Sequence, residues 1–312
     1  MLKLKTSSFL TGEEANREEL QALLDLAQKV KDERTRATYT KMLEGKTLAL
    51  LFEKPSLRTR VSFAVAAQEL GGWAIDLPTS VSKKEEPEDV IRVLAGYCHG
   101  VMLRTHAHQN LERMSKASKL PLINGLSDTH HPCQALADLL TIQQNFGKLK
   151  GLKLAYIGDG NNMLHSLMLL GPYLGLNVDY AVPEGYEPNA FILKRAMKRA
   201  KEGGAAINGY QDPVKAATHA DILYTDVWTS MGFEEESKDR ETVFQNYQIN
   251  EELYAKANPG AIVMHCMPMV RGKEITDAMA EHPKAVLFQQ SENRLHAQKA
   301  LLLALMSDGK GV

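Results

Sequence analysis

Residues 52–63, which read Phe-Glu-Lys-Pro-Ser-Leu-Arg-Thr-Arg-Val-Ser-Phe, concentrate side chains suited to binding a phosphate group. A strand-like run ends there and a helix begins, with Ser56, Arg58, Thr59 and Arg60 in its first turn. Backbone N–H groups and the helix dipole attract anions at a helix start, and guanidinium groups offer forked donors that match phosphate oxygens. Basic residues disfavour this position unless an anion compensates, so we predict a phosphate site rather than a solvated helix start.

Two more polar groups follow strand-like runs in the first half of the chain. Arg104 closes the apolar run 101–104, where a buried charge needs a partner, either a ligand or a structural ion pair. His131 and Gln134 lie three residues apart at a second helix start, so both can face one ligand. A neutral imidazole and an amide suit the polarisation of a carbonyl group. Zinc is not predicted, because no cluster with metal-ligand spacing accompanies them.

The turn at 158–162, Gly-Asp-Gly-Asn-Asn, matches a dinucleotide-binding loop only in part. It lacks the third glycine of G-x-G-x-x-G, and no acidic residue stands after the next strand to bind a ribose. A nicotinamide-linked dehydrogenase is therefore a weak alternative.

Two later post-strand segments carry groups that could act on an amine. Asp226 precedes a loop at 227–232, Val-Trp-Thr-Ser-Met-Gly, and its carboxylate is available to an amine; a surface turn is the alternative. Cys266 ends another strand. It is either a small buried apolar residue or, beside a phosphate site, partly a thiolate. Arg294 places one more guanidinium at the start of the last helix.

Composition limits the classes of function. The 312 residues are 44% hydrophobic and 24% charged, with a formal net charge of −1, which argues against nucleic-acid or membrane-surface partners. Three scattered cysteines suggest a reducing, cytoplasmic compartment rather than a disulfide framework. The N-terminus lacks the apolar core of a signal peptide, and no apolar run approaches the length of a membrane span.

Strand-like and helix-like segments alternate along the chain, which predicts an α/β fold with two doubly wound parallel-sheet domains and an active-site cleft between them. A Gly/Lys segment at 147–151 is the predicted boundary, so that residues 1–147, joined by a C-terminal helix at 291–312, form one domain and residues 151–290 the other. The predicted strands are 47–52, 73–77, 100–104, 120–123, 152–157, 178–182, 220–225, 261–265 and 285–288. The predicted helices are 17–33, 56–70, 87–97, 108–118, 132–146, 162–174, 189–202 and 292–306.

Taken together, these motifs resemble the signature set of the carbamoyltransferases. The resemblance rests on Ser56-Leu57-Arg58-Thr59-Arg60, His131-Pro132-Cys133-Gln134, Asp226 with Ser230-Met231-Gly232, and His265-Cys266-Met267-Pro268. The Ser-Met-Gly loop and the His-Cys-x-Pro motif are similar to those of ornithine carbamoyltransferases. The match runs in order from about residue 40 to the C-terminus.

The resemblance implies transfer of a carbamoyl group from carbamoyl phosphate to the δ-amine of L-ornithine, giving citrulline and phosphate in arginine metabolism. It implies that 1–147 binds carbamoyl phosphate and 151–290 binds ornithine. The catalytic residues would be Arg104, His131, Asp226 and Cys266. The carbamoyl-phosphate set would be Ser56, Leu57, Arg58, Thr59, Ser80, Arg104, His131, Gln134, Cys266, Met267 and Arg294. The ornithine set would be Asn162, Asp226, Ser230 and Met231. No metal or organic cofactor is implied, and the family forms homotrimers, or assemblies of trimers, with shared sites.

Three positions depart from the family pattern. Leu57 replaces a threonine, as in acylornithine carbamoyltransferases, so an acylated ornithine or another amine is the alternative substrate. Ser80 stands where a neighbouring subunit usually donates a glutamine. Val270 replaces a histidine. A non-catalytic relative is a further alternative, but retained buried charges argue against it.

Overall fold

The structure is a computed structural model that describes residues 2–39, 41–77, 85–229 and 237–307. Contacts divide the chain into two compact units: unit 1 comprises Met1–Leu140 and Glu292–Val312, and unit 2 comprises Thr141–Ser291. The chain thus leaves unit 1 within one helix and returns to it within another.

Strands and helices alternate through both units. The strands are β1 (Ser8–Phe9), β2 (Thr47–Phe52), β3 (Trp73–Leu77), β4 (Gly100–Arg104), β5 (Leu122–Leu126), β6 (Lys153–Ile157), β7 (Asn177–Ala181), β8 (Ile207–Tyr210), β9 (Ile222–Thr225) and β10 (Ile262–His265). The helices are α1 (Arg17–Thr35), α2 (Leu57–Glu69), α3 (Pro87–Ala95), α4 (His108–Ala117), α5 (Pro132–Phe146), α6 (Asn162–Leu170), α7 (Ala190–Gly203), α8 (Pro213–Ala217), α9 (Ser237–Phe244), α10 (Glu251–Tyr254), α11 (Asp277–Ala280) and α12 (Leu287–Met306).

Unit 1 is built on a five-stranded sheet in the order β1-β5-β4-β2-β3, with every neighbouring pair parallel. The central strands β2 and β4 are buried almost throughout, as expected for a sheet covered on both faces. Strand β3 lies at the edge, and its Trp73 and Ile75 are exposed. The carboxyl ends of β2 and β4 are neighbours, since Phe52 pairs with Arg104.

Unit 2 repeats this plan in the order β10-β9-β6-β7-β8, again with parallel neighbours. The buried apolar side chains of β6, β9 and β10 pack with Phe244 and Met279 from α9 and α11. Thr225 donates to the carbonyl oxygen of Ile157 at 2.7 Å, which ties the ends of β9 and β6 together. Because His265 of β10 also pairs with Thr225, the carboxyl ends of β10, β9 and β6 are neighbours in unit 2.

The prediction of an α/β fold with two parallel-sheet domains and flanking helices is confirmed. Predicted strands 47–52, 73–77 and 100–104 have the observed bounds, as does the predicted helix 132–146. The strand predicted at 285–288 is wrong, because α12 begins at Leu287 and only Ala285 forms an isolated bridge, to Val263. Predicted strand 120–123 lies at Leu122–Leu126. Within the described residues, no helix combines the length and apolar character needed to cross a membrane.

Candidate active site

In unit 1, the turn between β2 and α2 presents a helix start at a carboxyl end of the sheet. Ser56 caps this helix, and its side chain accepts a hydrogen bond from the backbone N–H of Thr59 at 3.3 Å. Leu57 is 74% exposed, and Arg58 beside it is half-buried. The first N–H groups of a helix lack intrahelical acceptors, so this turn is suited to hold an anion.

Arg294 organises the polar side chains around that turn. It lies on α12, is 3% exposed, and donates to Thr59 Oγ1 at 2.7 Å, to Gln134 Oε1 and to His131 Nε2 at 3.4 Å. Gln134 in turn donates to Asp138 Oδ1 at 2.8 Å, which orients its amide. These three acceptors of Arg294 are neutral, so they fix the guanidinium without cancelling its charge.

His131 is held neutral by its surroundings. Burial lowers the pKa of His131 well below its usual value of 6.5, and the charges of Arg294 and Arg104 lower it further. Because a guanidinium can only donate, Nε2 accepts from Arg294 and the neutral ring carries its proton on Nδ1. His131 can therefore donate to a carbonyl oxygen without being a cation.

Two other buried cations stand at the same edge of the sheet. Arg104 is 4% exposed at the end of β4, and Lys54 is 8% exposed two residues after the end of β2. The sequence prediction missed Lys54, although a lysine between an apolar strand and a helix start was the available signal. Arg60, by contrast, pairs with Asp76 of β3 and lies 4.5 Å above the ring of Phe52, so its guanidinium is engaged outside this group.

Cys133, next to His131 and Gln134, has a structural role. Its Sγ donates to the carbonyl oxygen of Asn124 at 3.4 Å, and burial raises the pKa of its thiol to about 12. It is therefore not a nucleophile at neutral pH.

In unit 2, Asp226 is the centre of a second polar group. Its Oδ1 accepts from Cys266 Sγ at 2.9 Å and from the backbone N–H of Val227 at 2.8 Å, and its Oδ2 accepts from Asn161 Nδ2 at 2.9 Å. Asp226 is 8% exposed. These donors come from the ends of three neighbouring strands and fix both carboxylate oxygens in place.

Asn161 is a functional candidate to which the sequence prediction gave no role, since ornithine binding was predicted for its neighbour Asn162. Its Oδ1 caps α6 by accepting from the backbone N–H of Met163 at 2.9 Å, and it also accepts from the hydroxyl of Tyr156 at 3.2 Å. The amide is thereby oriented so that Nδ2 points to Asp226. Asn162, the predicted ornithine ligand, is the next residue and the first of α6.

Cys266 faces a carboxylate, and this corrects one of the two interpretations offered for it. A hydrogen bond from Sγ to Asp226 requires the protonated thiol, whereas a thiolate would be repelled by the same oxygen. The adjacent Met267 has a left-handed backbone (φ 60°) and precedes a cis peptide bond to Pro268. Its N–H donates to His265 Nδ1 at 2.8 Å, which stabilises this turn.

His265 is fully buried and is fixed at both ring nitrogens. While Nδ1 accepts from Met267, Nε2 lies 3.0 Å from Glu274 Oε1, which also accepts the N–H of Val270 at 2.5 Å. The donor atoms of Asp226, His265 and Cys266 lie within 4.8 Å of one another, a grouping that could hold a metal ion. The hydrogen bonds just described already use each of these atoms.

The predicted residues thus fall into two groups, one in each unit. Unit 1 brings together Ser56, Thr59, His131, Gln134 and Arg294, with Arg104 close enough to His131 to influence its charge. Unit 2 brings together Asp226 and Cys266, and Met267 follows on the same turn. Ser80, Ser230 and Met231 lie outside the described residues. Val270, the departure from the family pattern, is 42% exposed.

Both parts of the chain match models of one protein family. Residues 7–144 match the model described as "Aspartate/ornithine carbamoyltransferase, carbamoyl-P binding domain", and residues 150–305 match "Aspartate/ornithine carbamoyltransferase, Asp/Orn binding domain". The ornithine carbamoyltransferase of Oceanobacillus iheyensis is 47% identical over 309 residues, covering 98% of this chain and 96% of the relative.

Solved structures agree with these matches. The structure of ornithine carbamoyltransferase from Pyrococcus furiosus has a TM-score of 0.96 at 44% identity and covers 99% of this chain and 100% of its own. An anabolic ornithine carbamoyltransferase from Campylobacter jejuni has a TM-score of 0.89 at 37% identity and covers 96% and 98%.

Proposed function

Because the chain belongs to the aspartate/ornithine carbamoyltransferase family, we propose that it transfers the carbamoyl group of carbamoyl phosphate to the δ-amine of L-ornithine. The products are L-citrulline and phosphate. The observation that carries this proposal is the buried Arg294, which gathers Thr59, Gln134 and the neutral His131 at the start of α2. A concentrated positive charge beside a neutral donor suits a ligand with both a phosphate and a carbonyl group.

In this proposal, unit 1 binds carbamoyl phosphate. Ser56, the backbone at Leu57, Arg58 and Thr59 hold the phosphate oxygens, with Arg104 and Ser80 completing the set. His131, Gln134 and Arg294 surround the carbamoyl group. The fixed donors act where negative charge develops on the carbonyl oxygen, and they need no reorganisation during the reaction.

Unit 2 binds ornithine in the same proposal. Asp226, with both oxygens fixed by Asn161 and Cys266, is a pre-oriented acceptor for an amine of the substrate. The ornithine set is completed by Asn162, Ser230 and Met231. Cys266 and Met267 complete the site around the reacting groups. Pre-orientation of this kind lowers the entropy that is lost when the reactants align.

The chemical step forms one bond and breaks another. The lone pair of the neutral δ-nitrogen attacks the carbamoyl carbon, a carbon–nitrogen bond forms, and the carbon–oxygen bond to phosphate breaks. Phosphate leaves with the electron pair of that bond, and it accepts the proton lost by the nitrogen. Cys266 is the weaker candidate for that proton, since its thiol is already protonated toward Asp226.

The first experiment measures the carbamoylation of several amines by carbamoyl phosphate. The amines are L-ornithine, N-acetylornithine, N-succinylornithine, putrescine and aspartate. We expect selective turnover of ornithine to citrulline. Preference for an acylated ornithine would keep the phosphate site but overturn the role given to Asp226, and absence of any turnover would overturn the proposal.

The oligomeric state, the location and the pathway are further parts of the proposal. Exposed apolar side chains on unit 1, namely Leu57 and Val61 on α2 and Trp73 and Ile75 on edge strand β3, support a homotrimer that buries this face. The three cysteines are buried and form no disulfide, which supports a reducing, cytoplasmic location. A relative from Pyrococcus furiosus, 44% identical over 309 residues, is called anabolic, which supports a role in arginine biosynthesis.

A further inference from the structure

Arg240 connects two segments of unit 2 that carry polar groups of the site. It lies on α9 and is 6% exposed. Its Nε donates to the carbonyl oxygen of Trp228 at 2.7 Å, and its Nη2 donates to the carboxylate of Asp159. Trp228 belongs to the segment after β9, and Asp159 belongs to the turn after β6.

The same two segments meet a second time through their functional side chains. Asp226 lies two residues before Trp228, Asn161 lies two residues after Asp159, and Asn161 donates to Asp226 at 2.9 Å. The two segments are therefore joined at two places, by Arg240 between Asp159 and Trp228 and by the hydrogen bond between Asn161 and Asp226. The strand ends themselves are tied by the hydrogen bond from Thr225 to Ile157. Loss of Arg240 would therefore leave the Asn161–Asp226 hydrogen bond with less support beyond the strand ends.

Aromatic rings fix the guanidinium plane of Arg240. Its central carbon lies 4.8 Å from the ring centre of Tyr186 and 5.4 Å from that of Phe244. Phe244 packs edge-on against Tyr186 at 4.8 Å and stacks with Trp228 at 6.2 Å. A lysine has neither the forked donors nor the flat face for these contacts, so it would not replace Arg240.

Asp159 needs this partner. Burial raises the pKa of Asp159 above its ordinary value, although the charge of Arg240 opposes the shift. A buried carboxylate without a cation takes up a proton or moves toward water, and either change would disturb the turn that carries Asn161.

We propose that Arg240 is a positioning residue that keeps Asp226 and Asn161 in the arrangement that receives the amine substrate. The inference rests on the proposed function, because it takes Asp226 as the group that binds ornithine. It assigns to Arg240 no contact with the substrate.

The test compares Arg240→Lys and Arg240→Met with Arg199→Met. Arg199 is a matched control, since its Nε also donates to a carbonyl oxygen, that of Leu169 at 2.9 Å, and its guanidinium lies 3.8 Å from the ring centre of Tyr173. Turnover of ornithine by the unchanged protein is measured first, so that failure of the proposed function is recognised separately.

We expect both Arg240 variants to raise KM for ornithine by about tenfold or more while KM for carbamoyl phosphate changes by less than about twofold. The second readout is the rate at which iodoacetamide alkylates Cys266, located by mass spectrometry, because the thiol is held by Asp226. We expect this rate to rise in both Arg240 variants, with Cys133 unaffected and the Arg199 variant unchanged.

Two results would overturn the inference. One is an Arg240→Lys protein whose KM for ornithine and Cys266 alkylation rate both match those of the unchanged protein. The other is an equal rise in both KM values, which indicates a general loss of structure. If Arg240→Met does not fold, Asp159→Asn takes its place, since an amide oxygen still accepts from Arg240 but forms no ion pair.

Discussion

The main candidate side chains of this protein are held in one orientation by hydrogen bonds to their neighbours. Arg294 is fixed by three neutral acceptors, and Asp226 is fixed by an amide and a thiol at its two oxygens. In both cases the side chain is ordered before a substrate binds. This arrangement reduces the entropy lost on binding, which is the main cost of aligning two reactants.

Replacing Arg58 tests the phosphate site. We expect Arg58→Ala to raise KM for carbamoyl phosphate by roughly 30- to 1,000-fold, because charge-assisted hydrogen bonds to phosphate contribute about 2–4 kcal/mol. Arg60→Ala is the control from the same helical turn, since Arg60 is engaged with Asp76 and Phe52. Initial rates at varied carbamoyl phosphate measure both variants. An equal effect of the two changes would contradict the assignment of Arg58.

Replacing Asp226 tests the ornithine site. The amide of Asp226→Asn is of similar size but cannot pair with an ammonium or accept at both oxygens, so we expect kcat/KM for ornithine to fall by about 100-fold or more. KM for carbamoyl phosphate should change by less than about twofold. Asp212→Asn, which changes the cap of α8 in the same unit, is the control. A parallel loss of affinity for both substrates would argue against the role of Asp226.

At the scale of elements, the turn after β10 depends on a buried pair outside the reacting groups. Glu274 accepts from His265 and from the N–H of Val270, and is 1% exposed. We expect Glu274→Ala to lower the free energy of unfolding by about 2–4 kcal/mol, because the buried imidazole of His265 and the partly buried N–H of Val270 lose their acceptor. Urea denaturation measures this change. Glu281→Ala, which removes an exposed carboxylate, should shift it by less than about 0.5 kcal/mol.

The elements that the sequence predicted well have strong local signals. Helix α5 begins at Pro132 and β4 is a short apolar run ending in a charge, so both had clear bounds. The run 285–288, Ala-Val-Leu-Phe, is apolar throughout, and a short apolar run fits a buried strand and a helix start equally well. In the structure, Leu287 is the first residue of α12. Strand β8 was not predicted, because it has two exposed residues, Asn208 and Gly209, and lacks the alternation of apolar and polar residues that indicates a strand.

The candidate site was predictable in its residue types but not in its hydrogen bonds. Polar residues after strands were visible in the sequence, because the carboxyl ends of parallel strands share an edge. The partner of Asp226 depends on which of two neighbouring asparagines faces it, and that is decided by the cap that Asn161 forms on α6. A side-chain orientation of this kind has no sequence signal.

At the scale of the whole molecule, buried neutral histidines make stability depend on pH. Burial lowers the pKa of His131, with the charges of Arg294 and Arg104 as further causes, and burial followed by the charge of Lys31 lowers the pKa of His296 to about 4. Below pH 6.5 these two histidines bind protons in the unfolded chain but stay neutral in the folded chain until the pH reaches their lowered pKa values. This stabilisation is therefore complete above pH 6.5 and is lost as the pH falls.

We expect His131 and His296 each to lower the free energy of unfolding by roughly 1–2 kcal/mol between pH 7 and pH 5. His296→Gln should remove its share of this slope, as measured by urea denaturation at several pH values. His219→Asn, which changes an exposed histidine with a left-handed backbone, is the control. An unchanged slope in His296→Gln would contradict the assignment.

The proposed assembly can be tested at an exposed apolar residue of unit 1. Trp73 is 70% exposed on edge strand β3, and we expect Trp73→Asp to convert the proposed trimer to monomers in sedimentation experiments, because a charge would replace apolar area that the proposed interface covers. Phe191→Asp, at an 81% exposed position on α7, should leave the assembly intact. A monomeric unchanged protein would overturn the proposed trimer itself.

The path of the chain has a consequence for synthesis. Arg294 reaches Thr59 across 235 positions, because Glu292–Val312 belongs to unit 1 although all of unit 2 is translated before it. A ribosome-bound chain that ends before Glu292 lacks the guanidinium that contacts Thr59, Gln134 and His131 in the complete protein. We therefore expect phosphate to stabilise unit 1 only after residues 292–306 have left the ribosome. Until then, chaperones and proteases act on an incomplete unit 1.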